Sequence, residues 1–244
     1  LQPSVVSIKD ARCICNRGPI VGADNGRHCR SCSKTDTRTY FHDGVRDELN
    51  LFCRAAGLPS RIETPGLLPD ERDLRPADID VPDFTIDGIV HTRHAIDFTG
   101  PIVESGWQSL SHAARLERAS VVGVKAKKSV LDKRNNRGSV ASQEIRGNAY
   151  TMQERCRRNQ INFWPVAIET DGAMSPSFLE FFNHVCNVSS ELTGQNRCTF
   201  KDYWWKRICC KIHRLNATCA LMSVAKIRRR VMRVPAFPQA DLQL

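Results

Sequence analysis

Two aspartates stand in apolar surroundings that do not call for a charge. Asp78 precedes Ile79 in the run 77–81, and Asp97 lies between Ile96 and Phe98 in the run 89–98, with the turn-like stretch 82–88 between the runs. If the runs pair as a hairpin, both carboxylates come close together at one end of a sheet. Two such groups repel each other, so their juxtaposition needs a cation or a shared proton. A divalent cation held by paired carboxylates is a common way to drive phosphodiester hydrolysis. The same residues also read more plainly, as a strand-end aspartate and a buried acid with a local partner.

A second group of chemistry-bearing residues lies in segment 10–42, which is rich in Cys, Gly, Arg, Asp and Thr and has no sustained hydrophobic period. Such a segment has no core of its own and needs a staple. Cys13 and Cys15, followed by His28, Cys29 and Cys32, can supply one. Zn²⁺ takes four such ligands in a tetrahedron, and its binding supplies the folding energy that a coreless unit lacks. The Cys-x-Cys spacing is tighter than the usual Cys-x-x-Cys, and free thiols are the alternative. The other seven of the eleven cysteines are scattered through apolar or helix-like stretches. A secreted disulfide scaffold would be smaller and would spread its cysteines through loops, so the expected location is intracellular and reducing.

The chain has 244 residues, 41% hydrophobic and 25% charged, with a mean hydropathy of −0.38, which suits a protein with a real core. No apolar run approaches a bilayer span, so no membrane partner is expected. The first residue is Leu1, and no signal-peptide core follows it, so the chain is expected to be part of a longer polypeptide. Lys and Arg total 36 against 26 acids, a net charge of +10, which favours a polyanionic partner, most commonly nucleic acid. Lys125, Lys127, Lys128, Lys133, Arg134 and Arg137 form one basic cluster against the single acid Asp132. They suit a phosphate-contacting surface, although a solvated loop has the same composition.

These residues need elements to position them. A helix is expected over DGVRDELNLFCRAAG, with Val45, Leu49, Phe52 and Cys53 on one stripe and Gly57 and Pro59 ending it. Asp47 and Glu48 then read as solvent-facing acids, with one pointing toward the sheet as the alternative. A short strand at 61–63 and a Pro-rich loop at 64–74 lead into the hairpin. Helix is expected again over 142–156, and 161–168 reads as a strand whose Pro165 suggests an edge or a bulge. Segment 175–188 is helical in pattern, with Phe178, Leu179, Phe182 and Val185 on its apolar face. Segment 200–230 is helical too, with Phe200, Trp204, Ile208, Ile212 and Leu215 as its core stripe. The expected divisions are 1–42 (tail and Cys/His module), 43–192 (main domain), 193–234 (helical extension) and 235–244 (tail).

Three blocks, read in order, resemble a known family. They are C-x-C with GRHCRSC and YFHDGVRDEL, then RPADI with AIDFTGP, then FWPVAIETDGAMSPSFLEFF. Their order is similar to the restriction-endonuclease-like domain found downstream of reverse transcriptases in non-LTR retrotransposons and related mobile elements. That family belongs to the PD-(D/E)XK nuclease group, and the similarity runs from about residue 11 to residue 227. The resemblance implies an α/β fold, with a mixed sheet flanked by helices and an N-terminal Cys/His zinc module. It maps the first acid onto Asp78, after Arg75, Pro76 and an inserted Ala77, and the second onto Asp97. The zinc ligands fall on Cys13, Cys15, His28 and Cys32, leaving Cys29 as an extra. An acid or amide on the upstream helix would be Asp47 or Glu48, with Glu63 as a further flanking acid. Thr99 stands where PD-(D/E)XK strands carry lysine. The relatives place that lysine in a K-x-x-K-Y pattern, here Arg146-Gly-Asn-Ala149-Tyr150.

The implied activity is metal-dependent DNA nicking. Asp78 and Asp97, with the Phe98 carbonyl, would hold Mg²⁺ or Mn²⁺, and Arg146 and Tyr150 would position phosphate or water. The implied partners are DNA and an upstream reverse transcriptase, and the implied location is intracellular and nuclear. Two other outcomes fit the same residues: a zinc-stapled DNA-binding module without cleavage, and a folded mobile-element remnant.

Overall fold

The structure, a computed structural model, describes residues 34–69, 77–86, 89–99, 152–168, 172 and 174–233. Helix α1 (Thr37–Ala55) leads into strands β1 (Arg61–Ile62), β2 (Ile79–Val81), β3 (Phe84–Ile86), β4 (Ile89–His91) and β5 (His94–Thr99). Helix α2 (Met152–Arg158), strand β6 (Asn162–Ala167) and helices α3 (Pro176–Thr193) and α4 (Arg197–Arg233) follow. The fold is mixed α/β. No helix among the described residues is long and apolar enough to cross a membrane.

Four strands form one sheet in the order β1-β2-β5-β6, with β1–β2 and β2–β5 antiparallel and β5–β6 parallel. A parallel pair needs a crossover, and in the chain α2 lies between β5 and β6. Strand β5 is central, and His94 to Phe98 are all buried, the polar His94 and Asp97 along with Ala95, Ile96 and Phe98. Among the described residues β6 is an edge strand, and it accommodates Pro165 as its sequence predicts. The expected hairpin is more elaborate than a single turn. Phe84, Thr85 and Ile86 pair with His91, Val90 and Ile89, so β3 and β4 form their own two-stranded ribbon between β2 and β5. The run 89–98 is therefore two strands, separated by Thr92 and Arg93.

The described residues fall into two units, 42–213 and 34–41 with 214–233. In the larger unit α1 buries Val45, Leu49, Phe52, Cys53 and Ala56, a helical stripe, and Gly57 at φ 84° ends it in the left-handed region. Helix α3 is capped at both ends. The Ser175 hydroxyl accepts the Phe178 N–H at 3.2 Å, and Gly194 follows at φ 67°. Its inner face is Phe178, Phe181, Phe182 and Val185, an i, i+3, i+4, i+7 set. Leu179, expected on that face, is 37% exposed because it lies one position out of phase. The core centres on Phe52, whose ring lies 4.8 Å from Phe182, 5.7 Å from Phe200 and 5.5 Å from Trp204.

In the smaller unit Lys226 Nζ donates to the Thr35 carbonyl at 2.7 Å and pairs with the Asp36 carboxylate at 2.6 Å. Cys219 Sγ reaches the Thr37 carbonyl at 3.5 Å. These contacts order the entry to α1, which starts at Thr37 rather than at Asp43. Phe41, buried and four residues before Val45, extends the hydrophobic spacing back past Asp43 and is the sequence sign of this earlier start.

Candidate active site

The backbone of Asp78 is pinned from two sides. Its N–H donates to the Ile96 carbonyl at 3.0 Å, and its carbonyl accepts the Glu63 N–H at 2.9 Å. Its carboxylate turns back to the neighbouring strand, where Oδ2 accepts the Phe98 N–H at 2.7 Å. Asp78 thus grips the residues on either side of Asp97, one through its backbone and the other through its side chain. The register agrees: Ile79 faces Ile96, so the next step along the ladder sets Asp78 across from Asp97. Residues directly opposite on an antiparallel pair share a face. Asp97 is 4% exposed and lies opposite Pro165 of β6. Burial pushes the Cys156 thiol of α2 up to about 12, and the Asp97 charge adds to the shift, which puts α2 near this acid.

A basic group unforeseen in the sequence completes the neighbourhood. His42 of α1 places Nε2 3.3 Å from Asp78 Oδ2 and Nδ1 3.2 Å from Asp43 Oδ1, with its ring 5.4 Å from that of Phe98. Burial opposes its charged form, but the Asp78 and Asp43 carboxylates outweigh burial and raise its pKa. One turn further along α1, Arg46 gathers Asp43 at 3.2 Å, Asp47 at 2.9 Å and the carboxylate of Glu63. Of the expected flanking acids, Asp47 and Glu63 are thus tied to Arg46. The only sequence signal for His42 is its place one residue before the helix expected from Asp43.

Two further acids are buried against basic residues. Glu48, expected to face solvent, is 4% exposed and is held by Arg207 Nε, with Lys211 Nζ at 3.9 Å. The α1 stripe shows which side is apolar, but it cannot show that a basic residue of α4 meets the helix there. Asp80, two residues beyond Asp78, is 1% exposed and lies 2.8 Å from Arg93 Nε. Burial raises the Asp80 pKa, and the Arg93 charge only partly offsets this. Asp80 is therefore a buried acid paired with Arg93, whereas Asp78 meets His42.

The donors fit a hard cation. Asp78 and Asp97 offer carboxylate oxygens from neighbouring strands that two hydrogen bonds of Asp78 join. Among the described residues no group of three or more His, Cys, Asp or Glu is arranged to hold a metal ion. Mg²⁺ usually takes only one or two carboxylates and completes its shell with water and substrate phosphate. The other predicted residues lie outside the described residues: Arg146 and Tyr150, the basic set Lys125, Lys127, Lys128, Lys133, Arg134 and Arg137, and the zinc set Cys13, Cys15, His28 and Cys32. Among the described residues none of the seven cysteines is in a disulfide. Compared with known proteins, the chain matches no family model, no curated protein and no solved structure.

Proposed function

We propose that the protein is a metal-dependent DNA endonuclease of the PD-(D/E)XK type, with Asp78 and Asp97 as its cation-holding pair. The observation that carries this reading is the clamp of Asp78 around Asp97, through the Ile96 carbonyl and the Phe98 N–H. The mixed sheet flanked by helices supports it, since that is the architecture implied by the sequence resemblance. A bound Mg²⁺ or Mn²⁺ supplies charge neutralisation at the scissile phosphate and a more acidic water. In the hydrolysis a water oxygen bonds to phosphorus, one phosphoester bond breaks, and the leaving oxygen takes up a proton. The Asp78 and Asp97 carboxylates fix where the phosphate is held. His42, in contact with Asp78, can carry a proton at neutral pH, whereas an arginine holds its proton too tightly. Arg146 and Tyr150 are assigned to orienting phosphate or water, Zn²⁺ to the Cys13, Cys15, His28 and Cys32 staple, and the 125–137 cluster to the DNA backbone.

One observation favours a second reading, a DNA-binding module without cleavage. Thr99 stands where the nuclease group carries lysine, and Asp78 Oδ2 is already bonded by Phe98 N–H and approached by His42. Relaxation of supercoiled plasmid in Mg²⁺ separates the two. The nuclease reading expects nicking that chelation stops and that Asp97→Ala reduces at least about a hundredfold, the scale for loss of a principal electrostatic group. Full activity in Asp97→Ala would overturn the site, and salt-sensitive binding with no nicked product would leave the binding module.

A further inference from the structure

Helix α4 carries eleven Lys and Arg against one acid, Asp202, and so equals the chain's whole excess of 36 basic over 26 acidic residues. Its first half also departs from ordinary core packing. Phe200 and Trp204 are buried beside Phe52, but Tyr203 is 55% exposed and Trp205 37% exposed. Successive helix positions turn by about 100°, so Tyr203 and Trp205 fall on opposite flanks of the ridge that carries Lys206. Each flank opens on a groove. One, of about 560 Å³, is lined by Phe200, Tyr203 and Trp204 with Asn196. The other, of about 550 Å³, is lined by Leu179, Phe182 and Trp205, with Lys201 and Asn183 alongside.

We propose that residues 197–213 of α4 form a binding surface for single-stranded DNA. Tyr203 and Trp205 offer stacking faces to bases, and Lys201 and Lys206 meet phosphates. An unpaired base has two apolar faces and sits on a charged backbone, and partly exposed aromatics among cations match that pattern. A duplex hides those faces, and an acidic protein would use the cations without needing the rings. Arg207 is a support residue here, since it is bonded to Glu48 and to the Tyr203 hydroxyl at 3.2 Å and lies 5.1 Å over the Trp204 ring. Lys206 pairs with Asp202 at 2.7 Å, but both side chains are about two-thirds exposed (70% and 65%), so exchange for a phosphate costs little. The stacking surface is independent of Asp78 and Asp97. The choice of DNA over RNA rests on the proposed cleavage, which frees a strand beside the nick.

The test titrates the full chain with short oligo(dT) at low salt, reading tryptophan emission and the anisotropy of a labelled strand. Binding should quench the emission, and Tyr203→Ala with Trp205→Ala should weaken it by about tenfold or more. Trp205→Phe, which keeps a ring against Phe182, should recover most of the affinity. Lys201→Gln with Lys206→Gln removes two charges without placing an acid beside Glu48 and should flatten the salt dependence by a log–log slope of about 1.4. Asp97→Ala should bind as the parent does, so loss of nicking and loss of this surface are separable. Unchanged affinity in both the ring and the lysine variants would overturn the proposal. Equal quenching by blunt duplex or polyglutamate that the ring variants weaken would also overturn it, as would binding of oligo(U) in preference to oligo(dT).

Discussion

Asp78 and Asp80 are two residues apart, yet different groups neutralise them. Asp80 is buried against Arg93, whereas Asp78 accepts a backbone N–H and meets His42. Removing one partner of a buried pair is costly because the other charge is left without compensation. Arg93→Ala should therefore destabilise the protein by roughly 3 kcal/mol at neutral pH, measured by urea unfolding. Adding Asp80→Asn should recover most of that loss. Absence of recovery in the double variant would show that Arg93 acts through packing rather than through Asp80. The raised pKa of Asp80 sets the sign of its pH effect. The folded state holds this proton more tightly than the unfolded chain, so the penalty for its charge eases as pH falls.

At the scale of elements, three histidines gather where β4, β5 and α3 approach one another. His94 and His184 rings lie 5.0 Å apart, Trp164 Nε1 donates to His94 Nδ1 at 2.8 Å, and His91 stacks on Phe84 at 4.9 Å. Burial lowers the His94 pKa to about 4, with the neighbouring His184 and His91 adding to the shift and Asp83 opposing it. Burial and His91 lower His184 as well, against Glu191. The folded His94 ring stays neutral down to about pH 4, so the unfolded chain binds more protons between pH 4 and about 6.5, and the lowered His184 acts in the same direction. Stability is fully present above about pH 6.5 and should fall by up to about 3 kcal/mol as pH drops toward 4. Urea unfolding midpoints measured across that window check this. His94→Gln, which cannot titrate, should flatten the profile, and an unchanged slope would remove the imidazole from the account.

For the molecule as a whole, α1, α3 and α4 meet at a single aromatic centre in the larger unit. Phe52 stacks on Phe182 and Phe200, touches Trp204, and meets Phe181 edge-on at 6.4 Å. Phe52→Ala opens a cavity there and should cost about 3–5 kcal/mol, a large part of the stability of an ordinary domain. Calorimetry should show a lower transition temperature. A loss below about 1 kcal/mol would mean that the three helices do not depend on this cluster.

Local pattern was enough for much of this architecture. The stripe Val45, Leu49, Phe52 and Cys53, the strand at 161–168 with its edge proline, and helices α3 and α4 follow from side-chain periodicity and capping residues. The run containing Asp78 also pairs with the one containing Asp97, as their apolar character suggested. Periodicity tells which side of an element is apolar but not which neighbour will cover it. The β3–β4 ribbon, the burial of Glu48 by a residue 159 positions away and the approach of His42 to Asp78 were therefore decided only by the tertiary structure. The two acids could be picked out from sequence because a charge in an apolar run is conspicuous. Their basic neighbour could not, because His42 reaches Asp78 across a helix–sheet contact that leaves no local trace.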